Sequence, residues 1–199
     1  METRELGIKG AWEFTPKQWP DDRGVFLEWF KADAFEKATG RTLDLRQANH
    51  SVSAKGTIRG VHFADVPPSQ AKYVYCTHGA VLDVVIDIRV GSPTFGQHEA
   101  VRLDDLDRRA AFVSEGLGHA FIALTEGAVV TYLVSEPFSP TREHGINPMD
   151  PDLALPWPAD IAPLLSPKDL AAPGLHDAAA QGLLPSYQAC LDFYASQQL

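Results

Sequence analysis

What most limits the folds open to this chain is a cadence of short strand-like runs, broken by turn residues roughly every eight to twelve positions. The runs lie at residues 7–14, 25–30, 43–53, 57–63, 72–90, 96–103, 109–114, 119–125 and 128–135. Residues 72–90 read as a hairpin turning at His78-Gly79, and Gly91-Ser92-Pro93-Thr94 reads as a further turn. Pro16 to Gly24 reads as a loop. One helix interrupts the series, Ala32 to Thr39, with Asp33 as its cap and Gly40 as its stop. Strands that do not alternate with helices exclude β-α units and predict an all-β antiparallel sandwich or barrel.

The texture changes after Ser139. Residues 140–163 are proline-rich with little periodicity and are expected to wrap the surface. Ser166-Pro167-Lys168-Asp169 carries the marks of a helix start: a serine cap, proline at the first helical position and an acid in the first turn. Helical stretches are expected at 171–184 and 185–198. The division that follows is a β domain over 1–165 and a helical tail over 166–199 packed on it.

At 199 residues and 45% hydrophobic, the chain suits one domain with ample core. No apolar run nears the roughly 20 residues that span a bilayer. METRELGIKG has no apolar signal-peptide segment, so a cytoplasmic protein is expected. Cys76 and Cys190 match no metal or redox spacing and are expected to be free thiols. A net charge of -9 argues against nucleic acid or an anionic membrane as partner. It does not exclude a small anion, because a local cluster of Arg and Lys outweighs a distant field.

Such a cluster stands between Gln47 and Gly79. Gln47, Asn49, Ser51 and Ser53 alternate as on one strand face. Arg59-Gly60-Val61-His62 follows, and after Pro67-Pro68 come Gln70 and Lys72. Farther on, Asp83, Asp87 and Arg89 share one strand parity, and Leu82, Val84, Ile86 and Ile88 share the other. On the residues alone, His62 reads equally as a hydrogen-bonded core histidine and as a base. Tyr132 reads as plain core and Lys72 as a solvated lysine.

Seven segments recur in a familiar order: Asp22-Arg23-Gly24-Val25-Phe26-Leu27-Glu28, Gln47-Ala48-Asn49, Arg59-Gly60-Val61-His62, Gln70-Ala71-Lys72, residues 87–96, Gly118-His119-Ala120-Phe121 and residues 165–169. Together the chain resembles the dTDP-4-dehydrorhamnose 3,5-epimerase family, over residues 5–170. The resemblance implies a cupin-type β jelly roll, a homodimer, and a dTDP-linked 4-keto-6-deoxy sugar as substrate, with no organic cofactor and no metal. Against the metal-binding cupin pattern the chain keeps His62 and His119 but has Ala64 and Gln70 at the other two ligand positions, and two imidazoles without a carboxylate hold Fe, Mn or Zn poorly.

The resemblance also implies roles. His62 is the base that removes a proton beside the ketone, and Asp169 is its partner. Tyr132 is the reprotonating acid, and Lys72 lies by the C4 oxygen. Arg23 and Arg59 contact the diphosphate, and Gln47 and Asn49 donate to phosphate or sugar. Phe26 and Phe138 sandwich thymine, whose imide Glu28 accepts. His119 meets a sugar hydroxyl, and Glu143 lies near the nucleotide. The commoner pattern has Leu at Tyr73 and Gln at Ala64. The forms here resemble the antibiotic-sugar branch, which implies epimerisation at C3 alone. The alternatives are inversion at both C3 and C5, a cupin ketoisomerase that moves the carbonyl between C4 and C3, and a cupin that binds nucleotide sugars without catalysis.

Overall fold

Alternation along the strands builds three apolar layers from two sheets. The computed structural model describes residues 1–197. One sheet holds β1 (Glu2–Glu5), β2 (Ala11–Thr15), β10 (Ala110–Val113), β7 (Lys72–His78), β12 (Ala128–Val134) and β5 (Gln47–Ser53), in that order. The other runs β13 (Glu143–Gly145), β6 (Ile58–Ala64), β11 (Gly118–Ala123), β8 (Ala80–Ile86) and β9 (His98–Asp104). All pairings between these strands are antiparallel. The result is a β jelly roll. A separate two-stranded hairpin, β3 (Gln18–Asp21) and β4 (Gly24–Leu27), belongs to neither sheet.

Between the sheets, Val74, Cys76, Val81, Val85, Leu103, Phe121 and Val130 form the barrel core. The opposite parity is buried too. Val84, Ile86, Ile88, Val61 and Phe63 face outward and are covered by Leu175, Ala178 and Leu184 of the tail. Tyr73, Tyr75 and Phe112 face outward from the first sheet and are covered by Phe35 of α1 (Ala32–Thr39) and by Trp29 and Phe30. Each such apolar side chain contributes about 1.5–3 kcal/mol when fully buried. A barrel buried on both wall faces therefore turns its polar parity inward: Asp83 points into the barrel and Leu82, Val84 and Ile86 point out.

Several sequence expectations need correction. The run expected at 7–14 is a strand only as β2, from Ala11; an unexpected β1 precedes it, and the turn between the two passes through Gly10 (φ 91°). The Pro16–Gly24 loop contains β3. Asp33 does not cap α1: the cap position is Lys31, with no side-chain cap hydrogen bond, and Asp33 lies in the first turn. Gly40 ends the helix in the left-handed conformation as expected. The proline-rich wrap contributes β13 to a sheet edge. The 171–184 stretch is helical only over α3 (Leu175–Ala180), because Pro173-Gly174 breaks it. Before it comes α2 (Pro167–Leu170), whose cap Ser166 accepts from the Asp169 amide. The last helix, α4, is Tyr187–Ser196; the expected extension to Gln198 lies outside the described residues. No helix among those residues is long and apolar enough to cross a membrane.

Asp87 and Arg89 are a structural lock. Both side chains are 0% exposed, and the guanidinium grips the carboxylate through Nε (2.8 Å) and Nη2 (2.7 Å). Ser92 and Thr94 also donate to Asp87 Oδ2, and Arg89 Nη1 reaches the Lys9 carbonyl and the Tyr194 hydroxyl of α4. Burial opposes both charges, but these bonds hold the Asp87 carboxyl below its ordinary range. Removing one partner strands the other charge. Arg89→Ala is therefore expected to cost roughly 3–5 kcal/mol, read as a lowered urea midpoint with an unchanged slope; an unshifted midpoint would refute the lock.

Candidate active site

A cavity of about 280 Å³ opens at one end of the barrel, lined by Arg59, His62, Lys72, His119, Phe121, Tyr132, Ser166, Lys168 and Asp169. Four strands and α2 deliver these groups. Lys72 begins β7, with Val74 and Cys76 continuing the inward face. Tyr132 follows Ala128 and Val130 on the inward face of β12.

Arg59 and His62 are three residues apart, so a regular strand would send them to opposite faces. They share one face because β6 bulges against β11. His62 pairs with His119 and Arg59 with Phe121, so β6 spends one residue more than its partner. Gly60 makes this fit. It has φ 120°, and a Cβ there would lie 2.5 Å from the His119 carbonyl oxygen. The glycine in Arg59-Gly60-Val61-His62 thus places a guanidinium and an imidazole in one cavity.

His62 Nε2 lies 2.8 Å from Asp169 Oδ1. Asp169 Oδ2 accepts from Ser166 Oγ at 2.8 Å, and its amide donates back to the same serine. Burial opposes the Asp169 charge, but the bonds from His62 and Ser166 and the nearby Lys168 outweigh it, and the carboxyl lies below its ordinary range. An ionised Asp169 accepts a hydrogen bond from Nε2–H, which leaves Nδ1 as the basic nitrogen. The helix-start signal read from the sequence therefore has a second use: the capping serine also orients the dyad carboxylate.

Burial pushes the Lys72 ammonium down, while the Glu143 and Asp83 carboxylates pull it back. Burial pushes the Tyr132 phenol up, against Arg59 and a hydrogen bond with Asn49, so the phenol holds its proton across the working range. His119 Nε2 lies 2.7 Å from Asp83 Oδ2, and Asp83 is 0% exposed. Both cavity histidines thus have one nitrogen on an aspartate. Among the described residues, no group of three or more His, Cys, Asp or Glu side chains could hold a metal ion.

Not every expected residue is here. Asn49 sits opposite Tyr132 in the β5–β12 register, and Gln47 donates to it at 2.6 Å; neither lines the main cavity. Glu143 lines two smaller cavities beside Lys72 and Gln70. Arg23 and Phe26 lie on the β3–β4 hairpin, around a surface hollow of their own, with Phe26 67% exposed. Glu28 pairs with Lys31, and Phe138 is exposed. Tyr73 points away from the site, its hydroxyl on the Trp29 carbonyl. Its departure from the commoner leucine therefore does not touch the cavity. Asp83, Phe121, Ser166 and Lys168 went unassigned in the sequence. Strand parity with His119 and Phe121 and the Ser-Pro-Lys-Asp helix start were the signals that could have found them.

Cys76 and Cys190 are buried and unbonded, and burial pushes both thiols up to about 11.

The family described as dTDP-4-dehydrorhamnose 3,5-epimerase matches residues 5–177. A dTDP-4-dehydrorhamnose 3-epimerase of Streptomyces niveus is 55% identical over 96% of this chain and 91% of its own length. A dTDP-4-dehydrorhamnose 3,5-epimerase of Mycolicibacterium smegmatis is also 55% identical, over 97% and 95%. A solved 3'-monoepimerase from Streptomyces bikiniensis, in complex with dTDP-quinovose, superposes with a TM-score of 0.94 at 47% identity, covering 96% of this chain and 97% of that one.

Proposed function

The chain belongs to the dTDP-4-dehydrorhamnose 3,5-epimerase family, and we propose that within it this protein inverts C3 alone of a dTDP-linked 4-keto-6-deoxyhexose. The observation that carries the reading is a carboxylate-backed imidazole in one cavity with a protonated phenol and a half-buried lysine. His62 Nδ1 removes the C3 proton. The electron pair moves into C3–C4, and charge grows on the C4 oxygen, where Lys72 stabilises it. Tyr132 returns a proton to the other face of C3, which inverts the centre.

The preference for C3 rests on the likeness of the His62-Phe63-Ala64 and Gln70-Ala71-Lys72 segments to the antibiotic-sugar branch, and on the Streptomyces relatives that are C3 epimerases. Ala64 pairs with Glu143 beside Lys72, so it is the departure that stands near the reacting end. The test is proton NMR in deuterium oxide on dTDP-4-keto-6-deoxyglucose. Deuterium is expected at C3 alone, with C3 inverted. Incorporation at both C3 and C5 would make the protein a 3,5-epimerase.

We also propose a homodimer. Arg23 and Phe26 are matched to nucleotide binding yet sit on a hairpin outside the cavity, and Glu28 follows that hairpin. The outward side chains of edge strand β5, Ala48, His50 and Val52, are exposed. A second copy would cover that edge and bring the hairpin of one chain to the cavity of the other. Sedimentation at the mass of one chain would end this proposal. Two buried, unbonded cysteines suit a reducing, cytoplasmic setting.

A further inference from the structure

Asp83 is a costly residue with no part in the chemistry described so far. It stands on the inward face of β8 between Val81 and Val85, where a third valine would complete an apolar wall. It is 0% exposed. Its Oδ2 meets His119 Nε2, but its Oδ1 is buried with no hydrogen-bond partner. Satisfying a histidine needs one acceptor oxygen; a neutral side chain would serve. A second carboxylate oxygen buried without a protein donor is destabilising unless some charge or donor answers it.

No donor among the described residues meets that oxygen directly; the unpaired cation that projects inward from the facing sheet is Lys72. Among the described residues its ammonium makes no ion pair and no hydrogen bond, and the two carboxylates that act on it are Glu143 and Asp83. Lys72 enters from the first sheet and Asp83 from the second, both with inward parity.

We propose that Asp83 is a positioning residue for the reaction: it fixes His119 with the Nε2 hydrogen on Asp83, so that Nδ1 meets the sugar, and it supplies the counter-charge that keeps Lys72 an ammonium inside the barrel. The inference rests on the epimerase reading above, in which Lys72 works at the C4 oxygen. A lysine without nearby negative charge gives up its proton on burial, and a neutral amine stabilises an enolate poorly. Asp83 thus acts through two neighbours and touches no reacting atom itself.

The test is Asp83→Asn in the full chain. The amide keeps the shape and can still accept from His119 Nε2–H, but carries no charge. The charged and titratable groups around Lys72 are Arg59 and His62 of β6, Asp83 of β8, His119 of β11, Tyr132 of β12, Glu143 of β13, and Lys168 and Asp169 of α2. Of these, the substitution removes one negative charge, so Lys72 loses its proton at lower pH. The alkaline limb of kcat is expected to move down by about one pH unit. At neutral pH kcat is expected to fall roughly 10–100-fold with KM changed less than about threefold. A kcat within threefold of the parent and an unmoved alkaline limb would overturn the proposal. Should the variant not fold, nitrogen-15 spectra of the parent's imidazoles decide: a hydrogen on His119 Nε2 is expected, and an Nδ1–H tautomer would overturn it. Failure of the parent to epimerise any dTDP-4-keto sugar would instead count against the epimerase reading.

Discussion

His62→Ala is expected to lower kcat by about 10³–10⁴-fold while leaving the affinity for dTDP within about threefold. The loss corresponds to about 4–5.5 kcal/mol of transition-state stabilisation. His62 Nδ1 has no work to do in the ground state, where the nucleotide is held elsewhere; its contribution begins when the C–H bond stretches. No other cavity group can take over. The Tyr132 phenol holds its proton near neutral pH, and His119, though also backed by a carboxylate, meets a sugar hydroxyl rather than the C3 proton in the epimerase reading. Folding should survive, because His62 is partly exposed and Asp169 keeps its bond to Ser166. Calorimetry with dTDP and a progress curve on the same sample make the comparison. Full turnover in the variant would remove His62 as the base, and a dTDP affinity that fell with kcat would recast it as a binding residue.

Elements that obey local rules were legible in the sequence. The β6, β7, β8, β11 and β12 runs show through their apolar residues, β5 through the alternation of its polar ones, and α1 through its Gly40 stop. The missed elements depend on contacts that are not local. Strand β1 is polar and exposed throughout, so no burial pattern announces it. Strand β3 contains Pro20 and pairs only within its hairpin. Strand β13 is three residues that exist as a strand because β6 offers an edge. The parity of β8 was visible, but the side facing the barrel was not. Its apolar face is the outer one, and only the α3 helix packed there reveals this.

The same divide runs through the site. The Asp87–Arg89 pair shared a parity with Asp83 in the sequence, yet it locks a turn while Asp83 holds a cavity histidine. That His62 and Asp169 meet could be inferred from resemblance, but periodicity could not bring residues 107 positions apart to 2.8 Å. That Arg59 and His62 share a face contradicts strand parity and needs the bulge at Gly60. The residues matched to nucleotide binding on the hairpin were legible as types, while their place on a separate hairpin outside the cavity was not.

Tyr132→Phe is expected to separate two events that the parent enzyme couples. The base is intact in this variant, so the C3 proton should still leave and the enolate should still form. The phenol that delivers a proton to the opposite face is gone, so the enolate is recaptured from the side of His62. Epimerised product is expected to form about 10²–10³-fold more slowly. Solvent deuterium should enter C3 of unepimerised substrate, with the ratio of exchange to inversion raised at least about tenfold. The pH profile adds a second check. Burial pushes the Tyr132 phenol up and the Lys72 ammonium down, so of the two Lys72 loses its proton first as pH rises. The alkaline limb of the residual activity should therefore persist in Tyr132→Phe. Equal losses of exchange and inversion would place Tyr132 at enolate formation, where a phenol serves as a donor to the C4 oxygen. Disappearance of the alkaline limb would assign that limb to the phenol and take the ammonium role away from Lys72.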